Sequence, residues 1–182
     1  GGGHTNALLI NNWLTKPNLM PDVPITIISR DSYLVYSSMY PSVISRSISF
    51  KQSLIDISSL ANSARISFIQ KEVKDIQFDK QKIILNNRPA IPYSKIVLNC
   101  GSSIKVSKEY SELVKENIAC TVRPFPQSYQ FIKSEDAFNT KNELPFVITG
   151  SGLGAIEIAF ALRKRWKNRK IILTCNPRKI SR

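Results

Sequence analysis

Two glycine-rich stretches carry residue types that could bind a dinucleotide. The first is Gly1-Gly2-Gly3-His4-Thr5-Asn6-Ala7, and the second is Gly150-Ser151-Gly152-Leu153-Gly154-Ala155-Ile156-Glu157. Each fits a dinucleotide turn whose last glycine is relaxed, to Asn6-Ala7 in one and to Ala155 in the other. Glycine serves such a turn in two ways. It permits a positive φ at the bend, and it removes the side chain where a pyrophosphate must approach. The following helix offers unsatisfied N–H groups and the positive end of its dipole to that anion. One such turn is a weak signal. Two, each placed to open its own β-α-β unit, point to two bound dinucleotides, one a fixed cofactor and one a passing substrate.

Around the first turn, Gly1 and Gly3 take the pyrophosphate role. His4 is the single histidine, so it cannot build a zinc site alone. It either lines the phosphate loop or does acid–base work. A flexible glycine tag is the competing reading of this stretch, and the helix and strand that follow at the right distance speak against it. An acid that holds a ribose is expected ~20 residues after the turn. The chain offers Ser29-Arg30-Asp31 there. Asp31 falls a position or two late, Ser29 would hydrogen-bond a ribose more weakly, and Arg30 could stack on an adenine. In the second turn Gly150, Gly152 and Ala155 fill the three positions and Gly154 is extra. Glu157 follows on the same helix, where an ordinary exposed acid is the bland reading. After Ile171–Thr174 comes Cys175-Asn176-Pro177-Arg178-Lys179, with no acid for a ribose hydroxyl. Basic groups there suit a 2′-phosphate, hence NADPH or no preference between the two nicotinamides.

The elements that must position these turns are legible in the apolar spacing. Ala7 to Leu14 reads as a helix and Ile25 to Ile28 as a buried parallel strand. Ser32 to Ser42 reads as a loop, with a short helix from about Ser42. Leu54 to Ala64 has helical spacing. Ile66 to Phe78 and Gln81 to Leu85 read as strands of a hairpin around Asp79-Lys80. Lys95 to Asn99 reads as an apolar strand ending at Gly101, and Leu113 lies in a short helix. Val122 to Phe125 reads as extended, and Tyr129 to Ala137 as helix. Pro145 to Thr149 enters the second turn, Leu153 to Trp166 is its helix, and Lys170 to Cys175 its second strand. Gly1 has no strand before it and the chain stops just after that second strand, so the expectation is a fragment, truncated at both ends, of a longer protein.

Bulk numbers narrow the class. A hydrophobic fraction of 42% with 21% charged residues is ordinary for a globular protein. No apolar run reaches the ~18 residues of a membrane span, and no leader is visible. Three scattered cysteines form no C-x-x-C, so neither a redox dithiol nor a metal centre is indicated, and a reducing cytoplasm is the expected location. The net charge of +13 looks like a nucleic-acid footprint until it is located. Nine basic residues and no acid lie between Arg163 and Arg182, and without them +4 remains. A solvated basic helix end is the plain reading, and peripheral contact with a membrane or a phosphate is the alternative. Nucleic acid is not expected as a partner.

At Tyr33-Leu34-Val35-Tyr36-Ser37-Ser38-Met39-Tyr40-Pro41-Ser42 the chain resembles the flavin loop of type II NADH dehydrogenases, of the pyridine nucleotide–disulfide oxidoreductase superfamily. More narrowly, Gly-Gly-Gly-His with Tyr36, Ser37, Met39 and Pro41 resembles the flavoprotein half fused to selenide, water dikinase (selenophosphate synthase) in cyanobacteria. Glu72-Val73, Asn99-Cys100-Gly101-Ser102 and Val122-Arg123-Pro124 extend the match along nearly all of the chain. The resemblance implies an α/β fold of two nested Rossmann-like FAD/NAD(P)-binding domains, glutathione-reductase-like. The FAD-binding domain would span 1–126, an interdomain crossing and helix 127–143, and the start of an NAD(P)-binding domain 144–182. Gly1, Gly3 and His4 would cradle the FAD pyrophosphate and Val73 would touch adenine through its backbone. Tyr36, Ser37, Met39 and Pro41 would wall the isoalloxazine, and Gly101 would close its other side. Gly150, Gly152 and Glu157, which faces back toward the cofactor in such flavoproteins, would receive NAD(P)H.

Three departures qualify the match. Ser38 and Ser42 stand where many relatives have glycine, Asn6 replaces a third glycine or a histidine, and the redox cysteine pair is missing. The implied activity is an FAD-dependent NAD(P)H oxidoreductase that passes a hydride to flavin and on to a quinone or small acceptor. One alternative is a flavin-binding redox or regulatory module with a selenophosphate synthase domain beyond Arg182. Another is a basic module that binds a membrane or nucleic acid. A homo-oligomer is compatible with all three.

Overall fold

Residues 1–138 and 144–175 are described by the computed structural model. Along the chain run α1 (His4–Thr15), β1 (Thr26–Ser29), β2 (Tyr33–Val35), α2 (Tyr40–Ile44), β3 (Leu54–Asp56), α3 (Ile57–Ser63), β4 (Ser67–Gln70), β5 (Val73–Gln77), β6 (Lys82–Leu85) and β7 (Ile91–Pro92). Then follow α4 (Lys108–Lys115), α5 (Phe125–Phe138), β8 (Phe146–Thr149), α6 (Leu153–Arg165) and β9 (Ile171–Thr174). They fall into two units. One combines Gly1–Tyr36 with Leu54–Gly101, and the other Ser37–Ser53 with Ser102–Arg182.

In the first unit β1 and β4 pair in parallel, from Thr26↔Ser67 to Ser29↔Gln70. Side chains alternate across a strand, so β1 serves two cores. Ile27 packs with Ala7 and Ile10 of α1 and with Ile57 and Ala61 of α3. Ile28 turns to the opposite face and meets Ile83 and Leu85 of β6. Ile10, Ile57 and Ala61 are almost wholly buried, and each buried isoleucine is worth roughly 1.5–3 kcal/mol against leaving it exposed. The antiparallel sheet β5-β6-β7 forms a hairpin extension.

The second unit is built around β8 and β9, parallel from Phe146↔Ile171 to Thr149↔Thr174. Tyr40, Val43 and Ile44 of α2 join Ile132 of α5, Ile148 of β8 and Ile158, Ala161 and Leu162 of α6 in one core with Trp166. The indole of Trp166 is buried but not orphaned, because its Nε1 donates to Asp136 at 2.8 Å.

Several expectations need correction. Leu54 to Ala64 is not all helix. Residues 54–56 pair antiparallel with β2, and the helix starts only where Asp56 caps it by accepting from the Ser59 N–H at 2.9 Å. Ile66 to Phe78 is two strands in different sheets, because the Lys71 N–H turns back to the carbonyls of Ser29 and Ile69. Tyr33 to Val35 is strand, not loop, and α2 begins at Tyr40 with Pro41 in its first turn, where a missing N–H costs nothing. Lys95 to Asn99 is apolar but joins no sheet among the described residues. α1 starts at His4 and α5 at Phe125, earlier than the apolar spacing alone places them.

Candidate functional site

The first glycine turn is enclosed by its own unit. The Gly3 N–H donates to the Asn99 carbonyl at 3.1 Å. A Cβ at Gly1 would lie 2.5 Å from that same oxygen, one at Gly2 would lie 2.8 Å from Ser29 Oγ, and one at Gly3 would overlap the Asn99 side chain. Gly1 and Gly3 are therefore required by space, because the Asn99 backbone crowds both, whereas at Gly2 the nearest atom is the end of the Ser29 side chain. The positive φ expected at the bend is absent, since Gly3 has φ −71°. The glycine that does need its conformational freedom is Gly101, at φ 76°.

α1 opens from this turn with Gly3 at its N-cap, no side-chain cap and no acid in its first turn. The N–H groups of His4 and Thr5 and the helix dipole are left for an anion, while the Asn6 N–H is met by Asn99 Oδ1 at 3.4 Å. Asn6 is buried and braces the turn. Its Nδ2 donates to the Gly1 carbonyl at 2.7 Å, which fixes the amide orientation. Its Oδ1 is then a buried acceptor with no partner among the described residues, as is Nδ1 of His4. The His4 ring stacks on Tyr36, centroids 4.7 Å apart and planes 14° from parallel. The structure thus brings Gly1, Gly3, His4, Ser29 and Tyr36 together. Val73 lies farther along, at the half-exposed start of β5, paired with Leu85 beside an irregular step in the ladder. Arg30 and Asp31 are exposed and bind each other at 2.9 Å, so neither is aimed at the turn by a fixed partner.

Asn99, which in the sequence stands out only as part of Asn99-Cys100-Gly101-Ser102, is the residue that closes the turn. Its carbonyl takes the Gly3 N–H, and its Oδ1 lies 3.4 Å from the Asn6 N–H. The signal available was a polar residue at the end of an apolar run, just before Cys100-Gly101.

In the second unit, Ser37–Met39 forms a single tight turn that leads into α2. Met39 and Pro41 are half-buried and Ser37 is exposed. Tyr40 anchors this stretch, donating from its hydroxyl to Ser128 Oγ at 2.7 Å. Burial pushes the Tyr40 phenol up to about 12, although the Ser128 contact acts the other way. Burial likewise pushes the Cys120 thiol up to about 11, which keeps it protonated and a poor nucleophile.

The second glycine turn is open. The Gly150 N–H donates to the Thr174 carbonyl at 2.9 Å, and a Cβ there would press on the Ala155 Cβ at 3.1 Å. A Cβ at Gly152 or Gly154 would meet nothing among the described residues. Gly152 is the N-cap of α6, again without a side-chain cap or a first-turn acid. Glu157 is exposed one turn in. Asn176, Pro177, Arg178 and Lys179, read as a 2′-phosphate site, lie outside the described residues.

The basic helix end is less solvated than its composition implies. Arg163 Nη1 donates to the carbonyls of Lys167 and Arg169, at 3.1 and 2.9 Å, capping α6. The Arg165 side chain is 3% exposed and bound to Asp136. Arg169 is buried, pairs with Glu135 at 2.8 Å and lies over Phe146 and Trp166. Three of the arginines thus have structural partners and are not a free binding face.

No protein-family model and no curated protein matches the chain. Among solved structures it is similar to the sulfide:quinone oxidoreductase of the hyperthermophilic bacterium Aquifex aeolicus, with TM-score 0.72 and 22% identity over 91% of this chain and 40% of that one. It is also similar to NDH2 of Plasmodium falciparum in complex with NADH, with TM-score 0.68 and 18% identity over 95% and 39%. A NAD-dependent persulfide reductase of A. fulgidus gives TM-score 0.65 and 16% identity over 96% and 32%. The chain spans at most about two fifths of the length of these structures. Among the described residues no helix is long and apolar enough to cross a membrane. The chain has the α/β fold that these structures share over this part of their length.

Proposed function

We propose that the protein is an FAD-dependent NAD(P)H oxidoreductase. One observation carries this reading above the others: the chain has two uncapped glycine-to-helix turns, one walled in and one open, on the fold of FAD/NAD(P) oxidoreductases. The first turn fits a dinucleotide on two counts: α1 presents the N–H groups of His4 and Thr5 at its start, and buried polar atoms of His4 and Asn6 await a partner.

In this reading Gly1, Gly3 and His4 hold the FAD pyrophosphate, Ser29 serves the ribose, and Val73 meets adenine through its backbone. The sequence motif assigns Tyr36, Ser37, Met39, Pro41 and Gly101 to the flavin ring. Gly150, Gly152, Ala155 and Glu157 receive the nicotinamide dinucleotide. Bound FAD would supply the two-electron chemistry that no side chain here can perform. The chain's own residues bind and orient the two nucleotides and exclude water. Residues 1–126 act as the FAD-binding domain, 127–143 as the crossing and 144–182 as the start of the nucleotide-accepting domain.

A quinone or another small molecule is the electron acceptor in this proposal, in keeping with the similarity to the sulfide:quinone oxidoreductase of Aquifex aeolicus. The finer alternative, a redox or regulatory module of a selenide, water dikinase fusion, rests on the Gly-Gly-Gly-His and Tyr36-to-Pro41 motif alone. The structural partners of Arg163, Arg165 and Arg169 disfavour a basic binding module. A cytoplasmic location, with peripheral contact to a membrane that carries the quinone, suits the main reading.

The test is an FAD titration of the purified protein by quenching of flavin fluorescence, followed by NAD(P)H consumption with a soluble quinone. Saturable FAD binding and quinone-dependent consumption are expected. Consumption without any acceptor dependence would remove the quinone, and failure to bind FAD would remove the reading as a whole.

A further inference from the structure

Away from both turns, the second unit holds a shallow cavity of about 430 Å³. Arg46, Lys133 and Arg165 line it against a single carboxylate, Asp136. That carboxylate is already engaged by Arg165 Nε at 2.7 Å, Trp166 Nε1 at 2.8 Å and Arg46 at 2.7 Å. The adjacent Glu135 gives no relief, since Arg169 binds it at 2.8 Å. At the rim, Lys164 Nζ reaches a hydroxyl, Ser47 Oγ at 2.9 Å, and not an acid. Arg46 keeps 59% of its side chain exposed, and Lys133 is exposed with no acidic partner among the described residues. Val43, Ile48 and Tyr129 supply an apolar floor. Positive charge over a low-dielectric wall concentrates the field into the cavity.

We propose that this cavity binds a phosphate-class anion, a phosphate monoester or a pyrophosphate. The Arg46 fork matches two phosphate oxygens, and Lys133 adds a mobile point charge. Asp136 sets the selectivity. It holds Arg165 in place and competes for Arg46, so an entering group must carry more charge than one carboxylate to draw Arg46 away. The apolar floor accommodates an organic residue on the phosphate. The site is separate from both glycine turns, and its existence does not depend on the flavin reading.

The experiment is calorimetric titration of the purified protein, saturated with FAD where it binds, with inorganic pyrophosphate at constant ionic strength. It is repeated on Lys133→Gln and on the double variant Arg46→Gln/Lys133→Gln. Saturable binding is expected, weakened about tenfold by the single change and abolished by the double. Lys133 is exposed, so its variant should keep the parent's circular dichroism and melting temperature, which guards against loss by unfolding. A second arm uses co-sedimentation with phosphatidylglycerol vesicles. Vesicle binding lost in the same variants assigns the phosphate to a lipid headgroup, and pyrophosphate binding alone assigns it to a soluble ligand. Absence of saturable binding in both arms, or binding unchanged in both variants, would overturn the proposal.

Discussion

The two glycine turns share a sequence pattern and differ in what surrounds them. At the first, the Asn99 backbone crowds Gly1 and Gly3, and the end of the Ser29 side chain lies against Gly2. At the second, two of three glycines face open space among the described residues. Their support also differs. The first is clamped at the turn itself by the Asn99 carbonyl. The second is steadied from the far end of its helix, where Asp136 gathers Arg165, Trp166 and Arg46. In the proposed reading the walled turn suits a nucleotide that stays, and the open one a nucleotide that exchanges. Similar motifs thus acquire different surroundings through residues distant in sequence.

The largest expected effect tests the second support. Asp136→Asn leaves the nearly buried Arg165 without its carboxylate and should cost about 3 kcal/mol, read as a lower urea midpoint. It should leave the first glycine turn intact, because none of the partners of Asp136 belongs to it. The same group predicts acid sensitivity. Burial pushes the Asp136 carboxyl up, but hydrogen bonds from Arg165, Trp166 and Arg46 outweigh this and bring it down to about 2. A folded-state value below that of the unfolded chain adds stability above the ordinary carboxylate range. That stability is lost as the pH falls from about 4 towards 2, and an acid titration followed by tryptophan fluorescence should show a larger loss in the parent than in Asp136→Asn, where only Asp56, also held down to about 2, still contributes.

Next in size is Gly3→Val, which drives a side chain into Asn99. Overpacking of about 1–3 kcal/mol should weaken FAD binding ten- to hundredfold by fluorescence titration. Asn99→Ala keeps the backbone clamp and removes only the side-chain oxygen near Asn6, so about 1 kcal/mol and a several-fold weaker Kd are expected. Smallest is Gly154→Ala. The site is open and inside α6, so the change should raise stability by a few tenths of a kcal/mol, up to about 1, without altering either affinity. A large loss there would erase the contrast between the turns.

Both glycine turns, the helices they open and the strands that follow were legible because strand alternation and helix spacing are local signals. Ile27 and Ile28 were readable as a strand, and Leu153 to Trp166 as a helix. The closing of the first turn was not legible, because it depends on Asn99, more than ninety residues away. Nor was the reason for its glycines, since crowding and a positive φ demand the same residue. The Asp56 cap was missed because apolar spacing ran on through Leu54 and Ile55 and masked a strand-to-helix change. The Asp136 hub gave no sequence signal at all. An acid mid-helix and a basic run 29 residues later look like two solvated features until the fold pairs them.

The most direct measurement is a visible spectrum of the purified protein after desalting, before and after anaerobic addition of NADH or NADPH. A flavin band that survives desalting and bleaches with a nicotinamide is the predicted result, because the walled turn retains its nucleotide and the open one admits the donor. A protein that remains colourless after incubation with FAD would contradict the account.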